Sequence, residues 1–273
     1  MKTFFTTQIF MALMVLLPLT ANSQDFQGKA YYFSKSTLEL GRFGATMSEA
    51  QKKQIAERLK NRLEKTYVLT FNKEESVFKE EEKVDAYSGA TDSWGKNFSP
   101  GAQYKNVKQN TLLQKQEFYG RQFLVKDDLL EIKWNIGKES KKIGEYLCLK
   151  ATAMIPTKDL TWYDFSWGQL RNNETEEGEE PEVEMSEVVA WYTPQIPLNQ
   201  GPLEYWGLPG LILEVSMGNT TMLCSKIVMN PDEKTKIKIP EKGKEVTKAE
   251  YQEIISSKMI EMRNNRMRGR RSN

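Results

Sequence analysis

The sequence predicts a mainly β fold of the α+β kind. It is read as a single curved antiparallel sheet or half-open barrel, with one helix in the N-terminal half (about 46–64) and one near the C-terminus (about 247–264). Three observations lead there. Short stretches with apolar side chains at every second position recur along most of the chain, the period of a half-buried strand. Two stretches show the wider apolar spacing of a surface helix. No regular strand–helix–strand alternation is visible, so a parallel sheet is not expected.

The elements follow in order. Gly28 to Leu40 is rich in aromatics and suits a first strand. Thr46-x-x-Glu49 has the form of a capping box, and Ile55, Leu59 and Leu63 recur every four residues behind it. Tyr67–Phe71 and 76–80 read as a hairpin, and 86–106 as loop, because Ser88-Gly89, Gly95 and Ser99-Pro100-Gly101 punctuate it. Strands are expected at 111–119, 121–126 and 130–135. Lys141 to Ile155 reads as one long strand, with Ile143, Leu147, Leu149, Ala151, Ala153 and Ile155 on one face and Tyr146, Cys148, Lys150 and Thr152 on the other. Trp162 to Trp167 is a further strand candidate. Val188–Tyr192 follows, then a hairpin of 211–215 with 221–229 through Gly218-Asn219. Thr247-Lys248-Ala249-Glu250 is a second capping box, and Tyr251, Ile254, Ile255, Met259 and Met262 form the apolar stripe of the last helix.

The chain ends have their own chemistry. Residues 1–23 read as a secretory signal peptide: Lys2 supplies a positive start, 9–17 an apolar core, and Ala21-Asn22-Ser23 a cleavage pattern that places Gln24 at the mature N-terminus. The apolar run is too short to span a bilayer, so no transmembrane anchor is expected in the mature chain. Residues 24–273 are read as one domain. It carries an acidic loop at 172–187, with eight glutamates between Glu174 and Glu187, and a basic tail at 263–273 with five arginines.

Composition removes several function classes. The 273 residues contain no histidine, which excludes Ser-His-Asp and Cys-His nucleophile pairs and His-ligated zinc. Thirty-nine basic against 37 acidic residues give a net charge of +2, too balanced for a nucleic-acid binder. No cofactor and no metal site is expected. Acids and lysines are so abundant that spacing selects no catalytic pair.

One segment stands apart: Tyr205-Trp206-Gly207-Leu208-Pro209-Gly210-Leu211-Ile212. Leu208 to Leu211 fits a type II turn, with Pro209 fixing φ and Gly210 supplying a positive φ. Here the sequence resembles the GLPGLI family, exported Bacteroidetes envelope proteins that are largely uncharacterised. The likeness extends to Lys141-x-Ile143-x-Glu145-Tyr146-x-Cys148-x-Lys150-Ala151, to Trp191-Tyr192-Thr193 with Ile196-Pro197, and to Gly201-Pro202, all in family order. Glu145 stands where the family often has glycine. The resemblance implies export to the periplasm or outer-membrane periphery and a β-rich fold; it supplies no mechanism. Gly207, Leu208, Pro209, Gly210, Leu211 and Ile212 are assigned first to chain reversal and second to a partner contact.

The remaining candidates are few. Cys148 and Cys224 either pair, as an exported chain permits, or stand as small buried hydrophobes. Trp162, Tyr163, Phe165 and Trp167 either line a ligand groove or belong to the sheet core. The resulting expectation is an exported, non-enzymatic accessory protein of the cell envelope. It would bind a partner protein, such as an outer-membrane transporter or assembly protein, or a hydrophobic ligand through its curved sheet. A periplasmic lipid or peptide carrier and a hydrolase without histidine are the alternatives. A carrier needs an apolar cavity of about 300 Å³ or more.

Overall fold

The computed structural model describes residues 26–37, 44–81, 97, 99–165, 183–231 and 236–271. The signal-peptide segment, the acidic loop up to residue 182, and Trp167 lie outside the described residues. In chain order the elements are β1 (Gly28–Ser36), α1 (Glu49–Leu63), β2 (Glu64–Phe71), β3 (Glu75–Glu80), β4 (Gln103–Asn106), β5 (Thr111–Phe118), β6 (Arg121–Asp127), β7 (Asn135–Ile143) and β8 (Tyr146–Pro156). There follow the single-turn α2 (Thr157–Leu160), β9 (Met185–Thr193), β10 (Leu211–Met217), β11 (Thr220–Met229), β12 (Lys244–Val246) and α3 (Lys248–Arg271).

The strands form one large curved, unclosed sheet in the order β12-β6-β5-β4-β3-β2-β1-β11-β10-β9-β8-β7. Every pairing is antiparallel except β12 on β6. The first strand lies mid-sheet, between β11 and β2, and so joins the N-terminal meander to the C-terminal one. Register aligns side chains into rows across the buried inner face. One row runs Ala30, Leu69, Phe78, Gln103, Gln114, Val125, Val246. The next runs Gly28, Phe71, Ser76, Lys105, Leu112, Asp127. Helix α3 packs Tyr251, Ile255 and Met259 with Phe118, Phe123, Val125 and Val246. Its cap is the expected one: Thr247 N donates to Glu250 Oε2 and Glu250 N to Thr247 Oγ1. The helix continues to Arg271, so most of the basic tail is helical.

Several expectations are corrected. The cap of α1 is Ser48 with Gln51, whose side chains and backbone N–H groups bond reciprocally, and not Thr46 with Glu49. Lys141 to Ile155 is two strands, because Gly144 takes φ +58 and turns the chain between β7 and β8. Leu147 is consequently 48% exposed while Cys148 is buried, and the expected alternation holds only from Ala151 onward. Residues 130–134 are not a strand. Trp162 to Phe165 follows α2 as a turn, not a strand. The short strands β4 and β12 carry no apolar period, and the sequence reading placed loop at β4.

The Leu208–Leu211 turn differs most. Gly210 is not among the glycines with positive φ; Gly207 is, at +89°. Gly210 N instead donates to Leu208 O at 2.8 Å, closing a three-residue inverse γ-turn on Pro209, whose ring sets φ near the value required. Gly210 is needed for a different reason: a β-carbon there would collide with the Thr193 carbonyl. Gly210→Ala is therefore expected to cost about 3 kcal/mol in urea unfolding, by overpacking against backbone. Gly120→Ala, at φ +76 in open space, should cost only about 1 kcal/mol. Equal losses at the two sites would refute the close-approach explanation.

Candidate functional site

The inner face of β3, β4 and β5 presents Ser76, Gln103, Lys105, Gln114 and Gln116, all almost fully buried. Polar side chains on a core face need partners. Many of theirs come from an irregular arch at 199–207, between β9 and β10, that crosses this part of the sheet. An arch has carbonyls that no strand ladder can satisfy. Lys105 Nζ donates to three of them, Gly201 O at 2.6 Å, Leu203 O at 2.6 Å and Tyr205 O at 3.1 Å. Ser76 Oγ donates to Gln200 Oε1 at 2.8 Å. Leu203 sits at φ +44, a left-handed conformation that is strained for leucine. The arch also bonds itself and its flanks: Gly207 N donates to Asn199 O and Ile212 N to Gln200 O.

Two indoles fix the far side. Trp206 Nε1 donates to Leu130 O at 2.7 Å, and Trp134 Nε1 to Trp206 O at 2.8 Å. Residues 130–134 thus spend hydrogen bonds on the arch.

Glu204 is the arch's buried carboxylate, 4% exposed. Its Oε1 accepts from Trp162 Nε1 at 2.9 Å and Gln103 Nε2 at 3.2 Å, and its Oε2 pairs with Lys248 Nζ at 3.2 Å. One carboxylate therefore joins β4, the turn after α2 and the start of α3. Burial pushes the Lys105 ammonium down to about 7, with Glu204 pulling it back up. Burial holds the Tyr163 and Tyr205 phenols well above their usual range, so both remain protonated donors. In its ammonium form Lys105 commits all three protons to carbonyls, which makes it a latch on the arch.

Beside Glu204 lies a half-enclosed pocket of about 110 Å³, bounded by Gln103, Tyr163, Tyr205 and the apolar side chains of Leu203, Met217 and Met222. A larger, more open groove of about 540 Å³ runs between the β5–β6 turn and α3, with Phe118 and Phe123 at its floor and Arg121, Glu253, Lys258 and Glu261 around it.

The sequence candidates divide accordingly. Trp162 is buried and bonded to Glu204, and Tyr163 lines the small pocket, so these two reach the site. Phe165 packs at the edge of the α3 cluster instead. Leu208, Leu211 and Ile212 are core, whereas Gly207 and Pro209 are exposed. Cys148 and Cys224 are free and buried, on strands with β9 and β10 between them. Each thiol donates to a nearby carbonyl, Tyr146 O and Lys226 O respectively. Lys105, Gln103 and Glu204 had no sequence signal: β4 is four polar or aromatic residues in loop-like surroundings, and Glu204 is one acid among 37 Asp and Glu.

Two measurements check this chemistry. An ordinary lysine in the unfolded chain binds its proton up to about pH 10.4, while native Lys105 releases it near 7. The unfolded state then holds more protons between these values, so stability is expected to rise from pH 7 to pH 8. From about pH 8 the two thiols act oppositely, because a thiol of the unfolded chain ionises at about pH 8.5 while burial raises Cys148 to about 11 and Cys224 to about 12. A stability curve that is flat or falling between pH 7 and 8 would show that Lys105 keeps its charge. Thiol labelling at pH 8 should be slow in the native chain and reach two equivalents on unfolding; no labelling after unfolding without reductant would mean a disulfide.

A family model described as a protein of unknown function (Porph_ging) matches residues 134–214, the stretch from Trp134 through the arch to Glu214. No curated protein gives a significant sequence match. Among solved structures, PNGF-II in a C2 crystal form aligns with a TM-score of 0.47 at 13% identity, covering 84% of this chain and 32% of that one. PNGF-II in a P21 form gives 0.46 at 13% identity, with 84% and 33% covered. This chain thus spans about a third of the length of those proteins.

Proposed function

We propose that the chain is an exported, GLPGLI-type accessory protein of the cell envelope that works by binding a partner protein on the outer face of its sheet. The observation that carries this reading is where space and apolar surface are found. The arch occupies the inner face of β3 to β5, and the pocket beside it, about 110 Å³, is well below the roughly 300 Å³ that a carried lipid or peptide needs; the groove of about 540 Å³ under α3 is open and edged by Arg121, Glu253, Lys258 and Glu261, which does not suit an enclosed apolar cargo.

The outer face carries exposed apolar side chains on a regular strand surface. Register aligns Lys150, Trp191, Glu214, Leu223 and Phe33 in one row across β8, β9, β10, β11 and β1. Leu223 and Phe33 sit opposite each other and are 40% and 39% exposed. Lys141 Nζ reaches Glu214 Oε2 at 2.7 Å and lies 4.3 Å over the Trp191 ring, which holds the aromatic in place. An ordered aromatic beside exposed apolar residues suits an interface core, and the Lys141–Glu214 pair suits its polar rim.

The test places a photo-crosslinking residue at Phe33 in cells, with Lys53 on α1 as the control position. Specific adducts with an envelope protein are expected from Phe33 and not from Lys53. Leu223→Arg should abolish them while changing stability by less than about 0.5 kcal/mol, as an exposed site allows. Identical adducts from both positions, or none from Phe33, would overturn the reading.

A further inference from the structure

Helix α3 has two parts. The first packs Tyr251, Ile255 and Met259 into the core. From Glu261 to Met267 every residue is exposed, so for about two turns no side of the helix is covered. Two large apolar side chains stand open there, Met262 at 38% and Met267 at 57% exposure. The charge changes at the same point. Glu261 is the last acidic residue of the chain, and Arg263, Arg266, Arg268, Arg270 and Arg271 follow it. Helical spacing carries the packed stripe into this arm: Tyr251, Ile255 and Met259 continue at steps of three and four as Met262 and Arg266. The side that α3 lays on the core therefore turns cationic where the core ends.

Helix physics alone does not account for the arm. Most helical stability in proteins comes from packing of one face, and the arm has no packed face. The helix dipole favours cations only in the last turn. That explains Arg268, Arg270 and Arg271, but not Arg266 or the two exposed methionines. Cations interspersed with apolar side chains on an uncovered helix match a surface that offers anionic phosphates above hydrocarbon. An acidic protein segment would answer the arginines and leave the methionines in water. The match is to a surface and not to a span, because no helix among the described residues is long and apolar enough to cross a membrane.

We propose that the 261–271 arm of α3 binds the surface of an anionic phospholipid bilayer. Its arginines meet the phosphates, and Met262 and Met267 enter the boundary between headgroups and acyl chains. The arm extends from a helix packed on β6 and β12, away from the outer-face row at Phe33 and Leu223, so the proposal does not rest on that reading.

The test is cosedimentation of the chain, purified from the cells that make it, with vesicles of phosphatidylcholine alone or with about 30% phosphatidylglycerol. Binding to the anionic vesicles is expected to be at least about 100-fold tighter, and to be lost in about 1 M salt, where surface charge is screened. Replacing Arg266, Arg268, Arg270 and Arg271 together by Gln should weaken it at least about 100-fold, since each cation near an anionic surface is worth about fivefold. The control replaces the exposed Lys53, Arg58, Lys79 and Lys242 by Gln. It changes the net charge equally and should weaken binding less than about threefold, because charges held away from the surface are screened. Met262→Ser with Met267→Ser should cost at least about fivefold on vesicles, through lost apolar burial, and nothing on polyglutamate. All of these substitutions fall on exposed sites, so folding is retained. No binding, equal binding to the two vesicles, an equal loss in the control, or polyglutamate bound as tightly as the anionic vesicles would overturn the proposal.

Discussion

One ammonium group holds the inside of this protein together. Lys105 enters the core from β4 and meets three carbonyls of the 201–205 backbone. An irregular segment inside a β core is ordinarily excluded, because its peptide groups lose water and gain nothing. Here one side chain with three donors offsets that loss at three successive alternate residues. Removing the ammonium would leave three buried acceptors without donors, a defect of about 3–5 kcal/mol. The strained Leu203 and the buried Glu204 are tolerable only because the arch is fixed on both sides by this contact.

The rest of the site follows from the latch. With the arch in place, Glu204 points at Gln103, Trp162 and Lys248, and so ties the sheet to α3 and to the turn after α2. The polar inner stripe is the corresponding adaptation of the sheet. It is not fully matched: Gln103 Oε1, Gln114 Nε2, Gln116 Nε2, Gln200 Nε2 and Tyr251 Oη find no partner among the described residues. Three of these atoms lie on the inner face of β4 and β5, one on the arch and one on α3.

What could be read in advance has a clear physical boundary. Helix α3, its Thr247–Glu250 cap and the hairpin through Gly218 were legible because each rests on residues close in sequence. The division of 141–155 at Gly144 was not legible, since apolar alternation continues through it and only a turn conformation reveals the break. The strand β4 has no apolar period at all; β3 and β5 make it a strand by pairing on both sides. Gly210 was recognised as necessary, but for the wrong reason. Its constraint is the carbonyl of Thr193, seventeen residues away in sequence and visible only once β9 and β10 pair.

The sequence by itself determined the fold class, the N-terminal cap of the last helix and the exclusion of histidine chemistry, and it singled out the 205–212 segment. These depend on composition, local period and short-range capping, which act before the chain is folded. Only the tertiary structure decided that Lys105, Gln103 and Glu204 form one site, that the inner face is polar where the arch crosses it, and that the arch leaves only a small pocket beside Glu204. Those facts come from residues about 100 positions apart meeting in a dry interior. There a single charge or amide, unremarkable among many in the sequence, gains its energy from the partners that folding gives it.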